Sequence, residues 1–474
     1  MQMIEDLKPY SQYKNSGLPW LGHVPAHWEI ARGRQLFEIR KRIAGTLGYP
    51  VLSVTQQGLR VKDVLKGEGQ ISQDYTKYQL VEPGELAMNA MDLITGGVGI
   101  AVHEGVTSPD YRVLAIRNKE QHNSRFYLLL FRMLYANLAF YSCGQGSAQL
   151  GRWRLPRKRF NDFFFPTPPG SEQASIARFL AWATNRLDRA IGAKRRIITL
   201  LQEQKQTIIH RAVTRGLDPS VPLKDSGIPW LGEIPEHWEV LALKRVLSRL
   251  VDCEHKTAPF VQQSNYRVVR TSAVRNGLLR WSGTYCTSAK AYTEWTQRAV
   301  PEAGDVIFTR EAPAGEACII PEDARVCLGQ RTVLMKPQRG IYDSQFLVHM
   351  IYAGPPRQLI ELTCQGSTVS HFNMDDIGWM KILAPPLSEQ IEIVAKVTEL
   401  TEAPSLVIVK TEREITFLRE YRTRLIADVV TGKLDVREMA AGLPEPQNVK
   451  DEQLEPEDEE PEFEAEDVET ESMD

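Results

Sequence analysis

The sequence predicts an α+β protein organised as a pseudo-twofold repeat, in which two compact α+β domains are separated by two long helices paired as an antiparallel intramolecular coiled coil. Three observations predict it. Residues 13–30, YKNSGLPWLGHVPAHWEI, return almost unchanged at 223–240 as LKDSGIPWLGEIPEHWEV. TPPGSEQASIARFL from Thr167 is matched by APPLSEQIEIVAKV from Ala384, and each opens a helical stretch that closes on TRGLD at Thr214–Asp218 or TGKLD at Thr431–Asp435. Between these landmarks, residues 31–166 and 241–383 share only patches such as EPGEL at Glu82–Leu86 and EAGDV at Glu302–Val306. The frame is duplicated and the inserts have diverged, so a two-part target is expected.

Length and charge bound the reading. A chain of 474 residues has room for two to four domains, each with a core. The net charge of −3 hides an asymmetry: Asp451–Asp474 hold 14 acidic and no basic side chains, leaving 57 basic against 46 acidic residues elsewhere. A body of that sign suits a polyanionic partner. The acidic segment 437–474 is expected to be disordered, because its Glu- and Pro-rich composition buries too little apolar surface to offset chain entropy. Six cysteines without a CxxC pair read as reduced thiols. There is no signal-like N-terminus, and no apolar run approaches the roughly twenty residues that span a bilayer, so a cytoplasmic location without membrane contact is expected.

Taken in order, residues 1–30 form the first repeat segment, whose Pro, Gly and Trp content suits a packed turn. His27 and His237 sit beside Trp and Glu, yet no second ligand stands at metal spacing, so the segment is read as structural. Residues 31–166 mix a strand-like run, Tyr111–Ile116, with a helix-like one, Phe126–Leu134. Near its end Arg152, Arg154, Arg157, Lys158 and Arg159 surround Trp153, a grouping suited to phosphate contacts and a stacking or wedging aromatic. Gln56, Gln57 and Arg60 join them as candidate DNA contacts. Residues 167–216 form the first spacer helix: Pro168 and Pro169 end the preceding strand, Ser171 is the expected N-cap, and Glu172 sits where the helix dipole favours an acid. Leu180, Ala183, Leu187, Ala190, Ile197, Leu201 and Ile208 form its heptad seam until Gly216 stops it.

Residues 217–240 are the linker and second repeat segment. Residues 241–383 form the second insert, with a strand at Asp305–Thr309 and a helix-like run at Phe346–Tyr352. Its candidate DNA contacts are Arg270, Thr271, Ser272, Arg275, Asn276, Arg310, Ser367, His371 and Asn373, polar groups chemically suited to base edges. Residues 384–436 form the second spacer helix, with Ile408, Ile415, Leu418, Leu425 and Val429 as seam and Pro404 expected to break or kink it.

Catalytic motifs do not appear where they would be legible. There is no GxxxxGK[ST] loop, no Gly-rich cofactor loop after a clear strand, and no Asn/Asp-Pro-Pro-Tyr/Phe. The competing readings are a self-sufficient nuclease with scattered metal ligands such as His103, Asp110, Glu120 and His371, and a coiled-coil scaffold whose basic charge is incidental.

The repeated PWLGxxPxHWE and PPxSEQ motifs, the long helices ending TRGLD or TGKLD, and the patches GDVIFTREAPAGEACII at Gly304–Ile320 and CLGQRTVLMKP at Cys327–Pro337 together resemble the specificity subunit of type I restriction-modification enzymes. The resemblance spans residues 13–436; Pro404 and the acidic tail depart from it. It implies a non-catalytic chain with no cofactor or metal of its own. The inserts become two target recognition domains, each reading half of an asymmetric, bipartite site in double-stranded DNA. The helices would set the spacing and dock two methylation subunits, which bind S-adenosylmethionine and methylate adenine. Restriction subunits, using ATP and magnesium, would cleave.

Overall fold

A computed structural model describes residues 7–63, 72, 74–146, 153–365 and 372–444. The chain divides into two compact units: Met1–Lys194 with Arg413–Asp474, and Arg195–Glu412. Each long helix, Gly170–Arg215 and Leu387–Val430, gives one half to each unit.

In the first unit an antiparallel sheet runs in the order Phe37–Arg40, Arg112–Ile116, Leu86–Met88, Val98–Ile100. Helix Ser124–Ala136 buries Phe126, Leu130, Phe131 and Leu134, residues spaced to share one face, with Phe37 packing edge-on to Tyr127 at 5.1 Å. Asn123 caps this helix by accepting the Arg125 and Phe126 N–H groups.

The second unit repeats that order with unrelated residues: Leu247–Asp252, Thr332–Pro337, Val306–Thr309, Ala317–Ile319, followed by helix Ser344–Ala353 capped by Asp343. Both units therefore have the expected α+β class. A further equivalence lies beside the sheet. Val51, before strand Leu52–Thr55, bridges in parallel to Val106, and Arg267–Val269 pair in parallel with Val326–Leu328. The second unit extends this pairing into a three-stranded sheet with Thr284–Thr287.

Each insert enters and leaves through one ladder. Glu29–Arg32 pairs antiparallel with Phe164–Thr167, placing Ile30 opposite Pro166, and Glu239–Ala242 pairs with Lys381–Ala384, placing Val240 opposite Leu383.

The long helices run antiparallel. In the first unit Arg422 donates to Asp188 at 2.7 Å and Lys194 to Glu414 at 2.6 Å, so higher numbers on one helix meet lower numbers on the other. In the second, Lys205 donates to Ser405 at 2.7 Å in the same sense. Three details differ from the sequence expectation. The first helix starts at Gly170, so Ser171 lies inside its first turn and the Pro169 carbonyl takes the Glu172 and Gln173 N–H groups. Its buried stripe steps from Leu187 to Ile191, leaving Ala190 half-buried and Ile197 46% exposed, while Leu201 and Ile208 are half-buried. A helix of 3.6 residues per turn drifts by about 20° per heptad from a strict seven-residue repeat, which moves the seam off those positions. The second helix continues through Pro404 without a break. One lost N–H is a small deficit against the burial of Val397 and Ile408 on either side of it.

Candidate nucleic-acid interface

The repeated segments build the roots of both units. Trp28 is fully buried and donates its indole N–H to Glu172 at 2.8 Å; Tyr10 donates to the same carboxylate at 2.6 Å, and His27 Nε2 lies 2.7 Å from its other oxygen. Burial and the bond to Glu172 hold the Tyr10 phenol well above its ordinary value. In the second unit Trp238 donates to Glu389 at 3.0 Å and His237 Nε2 lies 2.8 Å from it. The next residue of each SEQ motif is a second latch: Gln173 accepts the Asn123 N–H and donates to the Pro168 carbonyl, and Gln390 accepts the Asp343 N–H and donates to the Pro385 carbonyl. Both histidines are thus spent on carboxylates that start helices.

The first unit gathers part of its candidate set. Gln56 and Gln57 form the tip of the hairpin Leu52–Thr55 with Gly58–Val61. Gln56, exposed, donates to the Thr95 carbonyl at 3.2 Å, and Arg60 donates to the Gln57 side chain. Leu93 donates its N–H to the Trp153 carbonyl at 3.1 Å, so residues 89–97 link the hairpin tip to Trp153. Trp153 is not a free wedge. It stacks on Tyr141 at 5.0 Å and donates its indole N–H to the Tyr141 carbonyl at 2.7 Å, which fixes both face and edge inside the unit. Arg154 is exposed and pairs through its backbone with Gln145; Arg157, Lys158 and Arg159 are exposed on the short helix Arg157–Asp162, anchored by buried Phe160. Arg152 lies outside the described residues.

In the second unit several candidates hold the fold. Arg310 is 8% exposed and donates to half-buried Asp252 at 3.0 Å, an ion pair that holds the guanidinium within the unit. Arg275 donates to the Thr271 and Val274 carbonyls at 2.8 and 2.7 Å, tying its own turn. Asn276 occupies a turn at φ +51° with its N–H on Glu316, and Asn373 caps helix Met374–Trp379 by accepting the Asp376 N–H. Short polar side chains relieve turn and helix-end backbone groups, which is why these looked like free loop residues. Arg270 is exposed, and Thr271 and Ser272 are half-buried beside it; Ser367 and His371 lie outside the described residues. Among the described residues no group of three or more His, Cys, Asp or Glu side chains is placed to hold a metal ion, and no helix is long and apolar enough to cross a membrane.

Residues 235–415 match the model of the type I restriction modification DNA specificity domain. The chain is 22% identical over 444 residues to the putative type I restriction enzyme MjaX specificity subunit of Methanocaldococcus jannaschii, covering 88% of this chain and 96% of that protein. The MjaVIII specificity subunit of the same organism is 23% identical over 429 residues, covering 88% and 95%. The fold matches a chain from a structural study of complex assembly and conformational transition of the type I R-M system, with a TM-score of 0.60 at 14% identity over 87% of this chain and 99% of that one. Over most of its length the chain is similar to the specificity subunits of type I restriction-modification systems.

Two features of this chain were not legible in its sequence. Glu172 was read only as a dipole-favoured first-turn acid and Glu389 was given no role; the appearance of SEQ in both repeats, each far in sequence from a repeated Trp, was the available signal. Exposed Phe260 lies beside Tyr285, over which Arg270 sits, and Trp281 is exposed in the turn that precedes Thr284. Arg280–Trp281 has the same adjacency as Trp153–Arg154, without the dense basic run that marks the latter.

Proposed function

We propose that each unit of this specificity subunit reads one half of an asymmetric, bipartite site in duplex DNA, and that the chain selects the site without performing chemistry. The observation that carries this is the pairing of one fold with two sequences. The inserts share strand order and helix, enter through equivalent two-stranded ladders, and differ in the residues that follow Thr55 and Val269. Equivalent scaffolds with different loop residues suit recognition of different bases, since base-edge contacts specify and phosphate contacts position.

The long helices dock two methylation subunits, which carry S-adenosylmethionine and methylate adenine in each half-site. Within the second unit Leu400, Leu406, Val407 and Val409 lie exposed on one helix, more apolar side chain than a solvated helix face needs. Restriction subunits supply ATP- and magnesium-dependent cleavage. Adenine methylation requires the base to be flipped into a cofactor pocket, and that pocket is assigned to the methylation subunits. Helix length sets the number of unread base pairs between the half-sites.

The test is a genome-wide map of N6-methyladenine with the gene intact and deleted. Loss of methylation at one gapped, asymmetric motif is expected. An unchanged map in a strain that expresses the methylation subunits would overturn the proposal.

A further inference from the structure

The second unit presents one guanidinium on a rigid frame. Strand Tyr266–Val269 ends at Arg270, whose Nε donates to the Gly283 carbonyl at 3.3 Å and whose guanidinium carbon lies 5.8 Å from the Tyr285 ring centroid. The frame is itself tied down. Tyr285 donates its hydroxyl to the Ala258 carbonyl at 3.0 Å, the Arg280 N–H bonds the Ala273 carbonyl at 2.7 Å, and Thr284 donates to the Trp281 carbonyl at 2.8 Å. Arg270 is exposed, and among the described residues its terminal nitrogens have no hydrogen bond or ion pair. Two other candidate cations of this unit are committed elsewhere, Arg275 to its own turn and Arg310 to Asp252. Phe260, 68% exposed, lies 6.5 Å from the Tyr285 ring between centroids, and Trp281, 47% exposed, begins the turn that Thr284 closes.

The position matters as much as the geometry. Arg270 follows the strand equivalent to Leu52–Thr55, so it occupies the place held in the first unit by Gln56 and Gln57. The two units share a scaffold there and present different hydrogen-bonding groups at its tip. A phosphate contact needs only a mobile positive charge. A guanidinium held in one plane, with both terminal nitrogens open, suits the O6 and N7 acceptors that guanine alone offers side by side in the major groove.

We propose that Arg270 is a base-reading residue of the second unit and takes one guanine of that unit's half-site through a bidentate pair. The inference rests on the function proposed above. The probe is the complex of this full chain with its methylation subunits, bound to duplexes in which each guanine of the site is replaced singly by 7-deazaguanine, which lacks N7. Wild-type complex loses about tenfold affinity or more at one guanine of one half-site. Arg270→Lys, which keeps the charge and loses the fork, binds the unmodified site more weakly and is indifferent to the replacement there. A half-site without guanine, no sensitive guanine, or equal sensitivity in Arg270→Lys would each overturn the proposal. Arg270→Ala that weakens binding evenly while 7-deazaguanine sensitivity persists would assign the side chain to phosphate and overturn it too. Should one variant fail to fold, the other still makes the assignment, and a wild-type complex without a sensitive guanine overturns the proposal by itself. Wild-type complex with no preference for the gapped site over scrambled DNA would instead sink the underlying reading of function.

Discussion

Trp28 and Glu172, 144 residues apart in the chain, are joined by an indole N–H to carboxylate bond of 2.8 Å. Glu172 begins one long helix, and Gly432 ends the other so close to the same tryptophan that a Cβ there would lie 2.9 Å from the Trp28 ring. Trp238 repeats the relationship with Glu389 and Gly216. The start of one helix and the end of its partner therefore meet on one buried ring in each unit.

The two clamps differ in strength. Glu172 has a side chain 3% exposed and binds Tyr10, Trp28 and His27; Glu389 is 23% exposed and binds Trp238 and His237. Each buried donor left unpaired costs about 1–3 kcal/mol. Glu172→Ala should destabilise the first unit by about 3 kcal/mol or more, and Glu389→Ala the second by roughly half as much. Urea denaturation with hydrogen exchange resolved by segment measures both, and equal losses would contradict the difference in burial.

Gly432 and Gly216 both adopt positive φ, +80° and +72°. A Cβ at Gly432 meets the Pro25 ring as well as Trp28, whereas at Gly216 the nearest atom is Glu389 Oε1 at 3.2 Å, the end of a side chain that can shift. Both Ala variants carry the left-handed penalty of about 1 kcal/mol, and Gly432→Ala adds overpacking of about 1–3 kcal/mol. Thermal melting of the two single variants should place Gly432→Ala clearly lower.

Much of this frame was legible because it is local and repeated. Paired Pro residues, a first-turn Glu and a terminal Gly mark helix ends from sequence alone, and Gly216 and Gly432 do stop the helices. The seam was less legible: Ile191 replaces Ala190 because helical drift accumulates over many turns, and Thr411 and Arg422 occupy inward positions that an apolar count passes over. The candidate interface was legible only as regions. Whether an arginine faces solvent, as Arg270 does, or is absorbed by a carboxylate, as Arg310 is by Asp252, depends on residues tens of positions away.

His349 ties stability of the second unit to pH. Burial lowers its pKa from the ordinary 6.5 to about 4. The folded state then binds fewer protons than the unfolded one between those values, so the contribution is fully present above pH 6.5 and is lost as pH falls toward 4. The loss is at most about 3 kcal/mol, and smaller with solvent access. Unfolding free energies measured across that range should fall less steeply in His349→Gln than in the wild type.

The helix pair supplies a length prediction. Four residues inserted after Leu201, with four more beside Ile408 on the partner helix, add about 6 Å of rise. Methylome mapping of this variant should show a longer unread gap with both half-sites intact. Altered half-site bases would contradict the assignment of spacing to the helices.

If each insert reads its own half-site, exchanging inserts must exchange half-sites. Since both inserts leave through equivalent ladders, Ile30 opposite Pro166 and Val240 opposite Leu383, residues 31–166 can be replaced by a copy of residues 241–383. Single-molecule mapping of N6-methyladenine in a strain carrying that chain should reveal a palindromic gapped motif built from the second unit's half-site twice. Persistence of the first unit's half-site would contradict the claim.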